Sequence, residues 1–528
     1  MKVFYVKINE HRFWLLFLLL TGMATYLPSL AHDFVPLWDD TAYVLANPAV
    51  MGFSFEHLRT AFTKNFVGNY APLHIISYMA DYTVWGMKPA GFIFTNIALH
   101  VLNGLIFYSL LIRCRFEKIT ACAAAFIFLL HPVQVESVVW VSQRKTVLAM
   151  VFFLLSCHEY LSYRNSDEQK NATLHYLASL GLFLLALFSK SVVVILPLVL
   201  VLFNLSKAGI DKHCPTVRDI VPFAAPALAA AILTYYSQDP SQTGGRSEFH
   251  GGSPLATFYT MLPVLLKYLE LLFWPTGLSL RYDIPIRNGF DESVLLAGIA
   301  VSALVVAGVW LFLRRRELFC WYALFFVGLL PVSQIVPIVT LMNDRYLYFP
   351  LLGGAAFTCA CVQVMVQKQS RQKMFAAVCC ALLLVLPVLT YNQTKTWQNS
   401  LTVWQQAVKH NPRLFDARLF LADEYFRWGM LDESLSVSFR TLELFPDDPT
   451  PLKMIATVYV NRGDVPNARK FLEKASIAYP ADIELKYLLA ENYRTTKNIP
   501  EARAVYLAIL MYSPGSERAL KALSELAD

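Results

Sequence analysis

Long apolar stretches separated by short polar loops fill the first three quarters of the chain. They lie at about 13–31, 92–112, 119–133, 146–163, 174–189, 191–206, 219–237, 293–313, 317–337, 346–366 and 373–391. Each is near the length a helix needs to cross hydrocarbon, so the pattern predicts a polytopic helical membrane domain over residues 1–391. One further stretch, 257–274, contains Lys267 and Glu270 and stands apart. Short cytoplasmic loops collect Lys and Arg. That rule assigns Lys2/Lys7/Arg12, Arg113/Arg115/Lys118, Arg164/Lys170, Lys207/Lys212/Arg218, Arg314/Arg315/Arg316 and Lys368/Arg371/Lys373 to one side. The intervening loops alternate to the far side only if 257–274 lies in the interface or re-enters. About eleven crossings are then expected, with the C-terminal region outside the cytoplasm. The "SLA" ending at Ala31 also resembles a signal-peptide cleavage site, but the alternation requires the helix 13–31.

From residue 392 the pattern changes to a strict repeat. Pro412, Pro446, Pro480 and Pro514 stand 34 apart, as do Tyr425, Tyr459 and Tyr493, and Ala422, Ala456 and Ala490. Small residues recur at Ser434, Ala468 and Ala502, while Gly429 and Gly463 mark a tight turn whose third slot holds Lys497. Small residues where helices touch, an aromatic knob and a proline after the second helix, at this period, make the tetratricopeptide signature. The expected all-α solenoid has repeats at 413–446, 447–480 and 481–514, a capping helix from about 515, and a leading half-repeat at 397–411. Its concave face is expected to hold an extended peptide or a partner protein; a scaffold or dimerisation surface is the alternative.

Composition sharpens this division. Of 528 residues, 56% are apolar and only 16% charged, with mean hydropathy +0.45, against about 25% charged in soluble domains. Residues 392–528 carry 17 basic and 17 acidic side chains, so residues 1–391 hold the entire net charge of +7. A nucleic-acid partner is excluded, because the excess lies in short loops between apolar runs. All nine cysteines fall in spans or cytoplasmic loops, leaving the far side without a disulfide framework.

Charge is costly at a membrane, so the loops of the far side are the place to look for chemistry. The loop 32–91 opens with "LWDDTAYVLANP", where Asp39 and Asp40 adjoin the first helix. A carboxylate beside apolar surface can take a proton from a hydroxyl; the same pair can cap a helix or bind calcium. The amphipathic segment 55–66 sets Phe55, Leu58 and Phe62 on one face, suited to lying on a bilayer. In "HPVQVESVVWVSQRKTVLA", 131–149, a continuous helix would align Glu136, Trp140, Gln143 and Arg144 on one face, with Lys145 beside them. Arg144 would offer a planar fork to phosphate and Lys145 a point charge, or both would simply anchor the interface. "MNDRYLYFP", 342–350, adds Asp344 and Arg345 above an aromatic belt; Lys190 is an anion ligand or a snorkelling cap; "RYDIP" supplies Arg281 and Asp283. His74, His131 and His250 have no metal-ligand spacing, and no metal site is expected. Acidic and basic groups at one membrane face suit a substrate with a lipid tail and a phosphate head. A transporter would keep its charges near the midplane, where these spans are clean.

These segments resemble, in order, those of the TMTC family, the transmembrane and tetratricopeptide-repeat-containing proteins, and their bacterial relatives. The matching stretches are "WDDTAYVLANPAV", "NYAPLHIISYMADYTVWGMKPAGFIFTNIALHVLN", "HPVQVESVVWVSQRKTVLAMVFFLLS", "LFSKSVVVILPLVLVLF", "YLELLFWPTGLSLRYDIP" and "NDRYLYFPLLG", followed by the repeats. The resemblance implies a GT-C type glycosyltransferase with a lipid-phosphate-linked sugar donor, in animals dolichyl-phosphate-mannose for protein O-mannosylation. It carries the paired aspartates onto Asp39 and Asp40, the second-loop glutamate and arginine onto Glu136 and Arg144, and the last-loop cation onto Arg345. Ala71 replaces an arginine common in animal members, and Thr146 an acidic residue.

The expected activity is inverting transfer of mannose or a similar hexose from a polyprenyl-phosphate donor to Ser or Thr of an exported polypeptide presented by the repeats. Asp39 or Asp40 is the base. Arg144, Lys145 and Arg345 hold the donor phosphate, supported by Glu136, Gln143, Lys190, Asp344 and Arg281. No cofactor beyond the lipid-linked sugar is expected. The expected location is a bacterial inner membrane with exported repeats, or the endoplasmic reticulum with luminal repeats in a eukaryote. A non-catalytic membrane-anchored repeat scaffold for exported protein assembly is the rival reading.

Overall fold

The computed structural model describes residues 8–210, 217–239, 245–366 and 372–526. Lys2, Lys7, Lys212, Cys214, Lys368 and Arg371 lie outside them. The described residues form helices joined by loops and hold no strand, only the isolated bridges Phe66–Asn69 and Arg246–Ile338. The chain forms two compact units, Met1–Thr402 and Val403–Asp528. That division falls later than residue 391 because the helix Gln372–Thr394 runs past it, and Trp397 then stacks on Trp140 of the first unit with ring centroids 5.5 Å apart.

In the first unit, helix α1 is Ile8–Tyr26. Two short helices, α2 (Phe55–Thr63) and α3 (Pro72–Trp85), belong to the first loop. α4 (Pro89–Arg113), α5 (Lys118–Leu130), α6 (Val135–Val139), α7 (Arg144–Asn165) and α8 (Gln169–Ser189) follow. Then come α9 (Leu196–Ser206), α10 (Val221–Ser237), α11 (Pro254–Phe273), α12 (Glu292–Arg314), α13 (Arg316–Leu329), α14 (Pro350–Val366) and α15 (Gln372–Thr394). Proline opens α3, α4, α11 and α14, where its missing N–H costs no hydrogen bond and its φ suits the first turn.

Six helical stretches among the described residues are long and apolar enough to cross a membrane: Glu10–Ala31, Pro89–Arg113, Val141–Asn165, Gln169–Ser189, Pro254–Phe273 and Glu292–Arg314. The pair Lys118–Leu130 and Pro132–Val139, bent by 49°, would make a seventh. The chain is thus a multi-pass membrane protein, but its helices do not map one to one onto eleven expected spans. Ser191–Ser206, Val221–Ser237 and Pro350–Met365 are apolar but short, and Pro254–Phe273, expected to stay at the surface, has the length and composition of a span. The stretch expected to run to 337 leaves the α-helix at Leu329, because Pro331 cannot continue the ladder. Inside the unit more than half of α4 is buried, including the polar residues Asn96, His100 and Asn103. His100 Nδ1 meets the Tyr348 hydroxyl at 2.8 Å, and Asn103 donates to the Val147 carbonyl at 2.8 Å.

The second unit is a tetratricopeptide solenoid. After α16 (Ser400–His410), helix pairs α17/α18 (Phe415–Arg427, Leu431–Leu444), α19/α20 (Thr450–Arg462, Val465–Ala478) and α21/α22 (Ile483–Thr495, Ile499–Tyr512) follow at the expected period, closed by α23 (Glu517–Glu525). Ala422, Ala456, Ala490, Ser434, Ala468 and Ala502 are all buried where helices meet. Gly429 and Gly463 turn with φ +73° and +71°, and Lys497 takes the same left-handed conformation at φ +59°.

Candidate active site

The residues between α5 and α7 decide the site. They were expected to form one helix face from Glu136 to Arg144, and they do not. Trp140 is extended (φ −76°, ψ 119°), so α6 ends at Val139 and α7 starts at Arg144. The local sequence favours this break: a proline at 132 and β-branched valines at 133, 135, 138, 139 and 141 weaken a helix. Tertiary partners complete it. Asn96 donates to the Trp140 carbonyl at 3.2 Å, the Tyr78 hydroxyl to the Val141 carbonyl at 2.6 Å, and the Ser142 N–H goes to Asp40 at 3.0 Å.

The paired aspartates therefore part company. Asp40 is 0% exposed and accepts from the Val35 N–H at 2.8 Å, the Ser142 N–H and the Ser142 hydroxyl. Its side chain does not cap the following turn. Burial pushes its carboxyl up to about 6, outweighing the opposing hydrogen bonds from Ser142 and Val35. Asp39 is instead a quarter exposed, lines a cavity of about 420 Å³, and lies 4.0 Å from Lys145 Nζ.

Lys145 donates to the Tyr43 hydroxyl at 3.0 Å and sits over that ring, 4.4 Å from its centroid. Lys190 donates to the Thr146 hydroxyl at 2.7 Å and reaches the Gln143 amide oxygen at 3.5 Å, with Thr146 in turn donating to Gln143 at 2.8 Å. Arg345 is locked by Glu136, whose two oxygens take its Nη1 at 2.5 Å and its backbone N–H at 2.9 Å. Asp39, Gln143, Lys145, Lys190 and Arg345 all line the same cavity. A further cation, Arg246, joins them, held over Tyr235 at 4.2 Å and 3.4 Å from Asp239. The remaining wall is largely apolar, with Val192, Val194, Val332, Ile338 and Phe349.

Five expected site residues do not line this cavity: Asp40 and Glu136, placed above, and Arg144, Asp344 and Arg281. Arg144 is 0% exposed and committed inside the protein: Nη2 donates to Asp81 at 2.5 Å and to the Phe92 carbonyl at 2.6 Å, and Nε donates to Asn96. Asp344 is buried against the Ser279 N–H (3.1 Å) and the Tyr282 hydroxyl; burial and then Glu136 push its carboxyl well above the usual range. Arg281 sits 5.8 Å from the Trp38 ring, and Trp38, not Arg281, lines the cavity. His131 and His250 bond to the Leu272 and Ile338 carbonyls, and His74 packs between Tyr43 and Tyr78. Arg246 had one signal in the sequence, a lone cation within "GGRSEFHGG" in a loop assigned to the far side. Nothing local marks Asp81, whose partner is 63 residues away.

The arrangement juxtaposes a partly exposed carboxylate, several cations and an apolar wall in one cavity. Comparison with known proteins bears on it. A tetratricopeptide repeat family model matches residues 459–526. Mouse protein O-mannosyl-transferase TMTC3 is 24% identical over 333 residues, covering 59% of this chain and 32% of that protein. The Caenorhabditis elegans protein O-mannosyl-transferase F38B6.6 is 22% identical over 421 residues, 75% of this chain and 58% of that one. The chain's curated relatives are TMTC protein O-mannosyl-transferases, at low identity. It spans about a third of the TMTC3 length. Among solved structures, the Archaeoglobus fulgidus oligosaccharyltransferase tethered with an acceptor peptide is 13% identical, covering 81% of this chain and 59% of that one, with a TM-score of 0.36.

Proposed function

We propose that this protein is a membrane glycosyltransferase of the GT-C type, moving mannose or a similar hexose from a polyprenyl-phosphate donor to hydroxyls of exported protein. One observation carries the reading: Asp39 shares a cavity with Lys145, Lys190, Arg246 and Arg345, and that cavity has an apolar wall. The names of the TMTC relatives support the same class of reaction. In this reading Asp39 accepts the proton of a Ser or Thr hydroxyl. The oxygen forms a bond to the anomeric carbon from the face opposite the phosphate, inverting that centre. The bond from that carbon to the phosphate oxygen breaks, and its electron pair leaves with the polyprenyl phosphate, whose charge the cations hold. Asp40 is a positioning residue, its buried carboxylate taken up by the Val35 N–H and by Ser142 of the protein itself. The repeats present the acceptor from the far side of the membrane.

The test is transfer from polyprenyl-phosphate-mannose to exported proteins, followed by mass spectrometry, for full-length wild type and Asp39→Asn. Loss of a general base lowers the rate roughly 10²- to 10⁴-fold. Wild-type transfer by Asp39→Asn would sink the assignment. A wild-type protein inactive with every lipid-linked sugar would favour the membrane-anchored repeat scaffold.

A further inference from the structure

A second cavity, of about 410 Å³, lies in the same unit and is lined by residues from the opposite ends of the same helices. The candidate active site uses residues at or just before the starts of α9 and α14 and just after the end of α13. The second cavity uses Ser206 at the end of α9, the start of α13, the C-terminal half of α14 and Cys114 just after α4. The two cavities therefore sit at opposite ends of the helical body.

Four arginines line the second cavity, Arg115, Arg314, Arg315 and Arg316, against a single carboxylate, Glu317. Arg314, Arg315 and Arg316 are exposed, and the Arg316 guanidinium stacks 5.2 Å from the Phe312 ring. The rest of the lining includes Leu318, Trp321 and Val364, with Phe116 packed edge-on against Trp321 at 5.5 Å. Cations at the end of apolar spans, continuous with an apolar wall, match an amphiphile with an anionic head. A soluble anion would gain nothing from the apolar part. Guanidinium forks suit phosphate oxygens, and basic pockets between spans on the cytoplasmic side are where anionic headgroups bind.

We propose that this cavity binds an anionic phospholipid by its headgroup phosphate, at the end of the membrane unit remote from the transfer site. The test uses the full-length protein in neutral detergent, titrated with phosphatidylglycerol, phosphatidylcholine or inorganic phosphate, with bound lipid counted by native mass spectrometry. Phosphatidylglycerol should bind saturably and roughly tenfold more tightly than phosphatidylcholine. Gln363→Glu adds a carboxylate to the cavity lining while leaving every loop cation in place, so the orientation rule is untouched. It should weaken phosphatidylglycerol binding about tenfold. Should that variant fail to fold, Arg314→Lys/Arg315→Lys/Arg316→Lys carries the test: it keeps the charge but loses the forks, and should weaken binding by about two- to fivefold. Equal affinity for the two lipids, unchanged binding in both variants, or saturable binding of inorganic phosphate alone would each overturn the proposal.

Discussion

The repeat unit and the membrane unit are both built from helices, but the contacts that define them differ in range. In the repeat unit, Ser434 donates to the Ala422 carbonyl twelve residues away, and the small residues of both columns are buried. In the membrane unit, Asp40 meets Ser142 across 102 residues and Glu136 meets Arg345 across 209. A solenoid is held by nearest neighbours, so its stability is close to a sum of local terms. The candidate site depends on buried polar pairs assembled from distant segments, and such pairs fail as a unit when one partner is lost. The lesson concerns mutation: a change in the repeats should cost what its local packing costs, whereas a change in the site network should cost more than its size suggests.

The largest effect should come from breaking Arg144–Asp81. Asp81→Asn leaves a buried guanidinium without its charge partner and should destabilise the membrane unit by about 3–5 kcal/mol, read as a lowered melting temperature in detergent. Replacing both, Arg144→Met with Asp81→Leu, should restore part of the stability, the Phe92 carbonyl and the Asn96 amide oxygen being left without their donor, and transfer activity should survive with it. Loss of transfer in a stable double variant would mean that Arg144 does more than hold the fold.

Next is the pH response of Asp40. Its proton is bound more tightly in the folded protein than in the unfolded chain, because burial raises the carboxyl from its ordinary value near 4 to about 6. Its contribution is therefore fully present below pH 4 and lost as pH rises through about 6, by at most about 3 kcal/mol. The difference in melting temperature between wild type and Asp40→Asn, followed from pH 4 to 7, checks this: the wild type should lose more than the variant as pH rises, and parallel curves would refute it.

In the repeats, Ala456→Leu should cost about 1–3 kcal/mol by overpacking a fully buried helix contact. The smallest effect has the opposite sign. Lys497 occupies the turn slot that Gly429 and Gly463 fill, with φ +59°, so Lys497→Gly should stabilise the solenoid by up to about 1 kcal/mol in thermal unfolding. A destabilised variant would show that this side chain makes contacts worth more than the backbone strain.

How much could be read in advance followed the same division. The columns of alanine, tyrosine and proline located every repeat helix, and the charge deficit located the membrane unit. Lys145, Lys190, Gln143, Asp39 and Arg345 were identifiable as charged or polar groups in loops of one side, and they line one cavity. Glu136 and Arg144 share no helix face, because the helix is broken between them by backbone bonds to Asp40, Tyr78 and Asn96. For the same reason nothing distinguished Asp39 from Asp40 beforehand, since adjacent carboxylates look alike until one is buried.

By itself, the amino-acid order determined which segments are apolar, which are helical and at what interval the repeats recur, because these are properties of neighbouring residues and their solvation. Only the tertiary structure decided which aspartate faces the cavity, that Arg144 turns inward to Asp81, and that Arg246 joins the cations. Those outcomes depend on which distant partner satisfies each buried polar group, and periodicity carries no record of that choice.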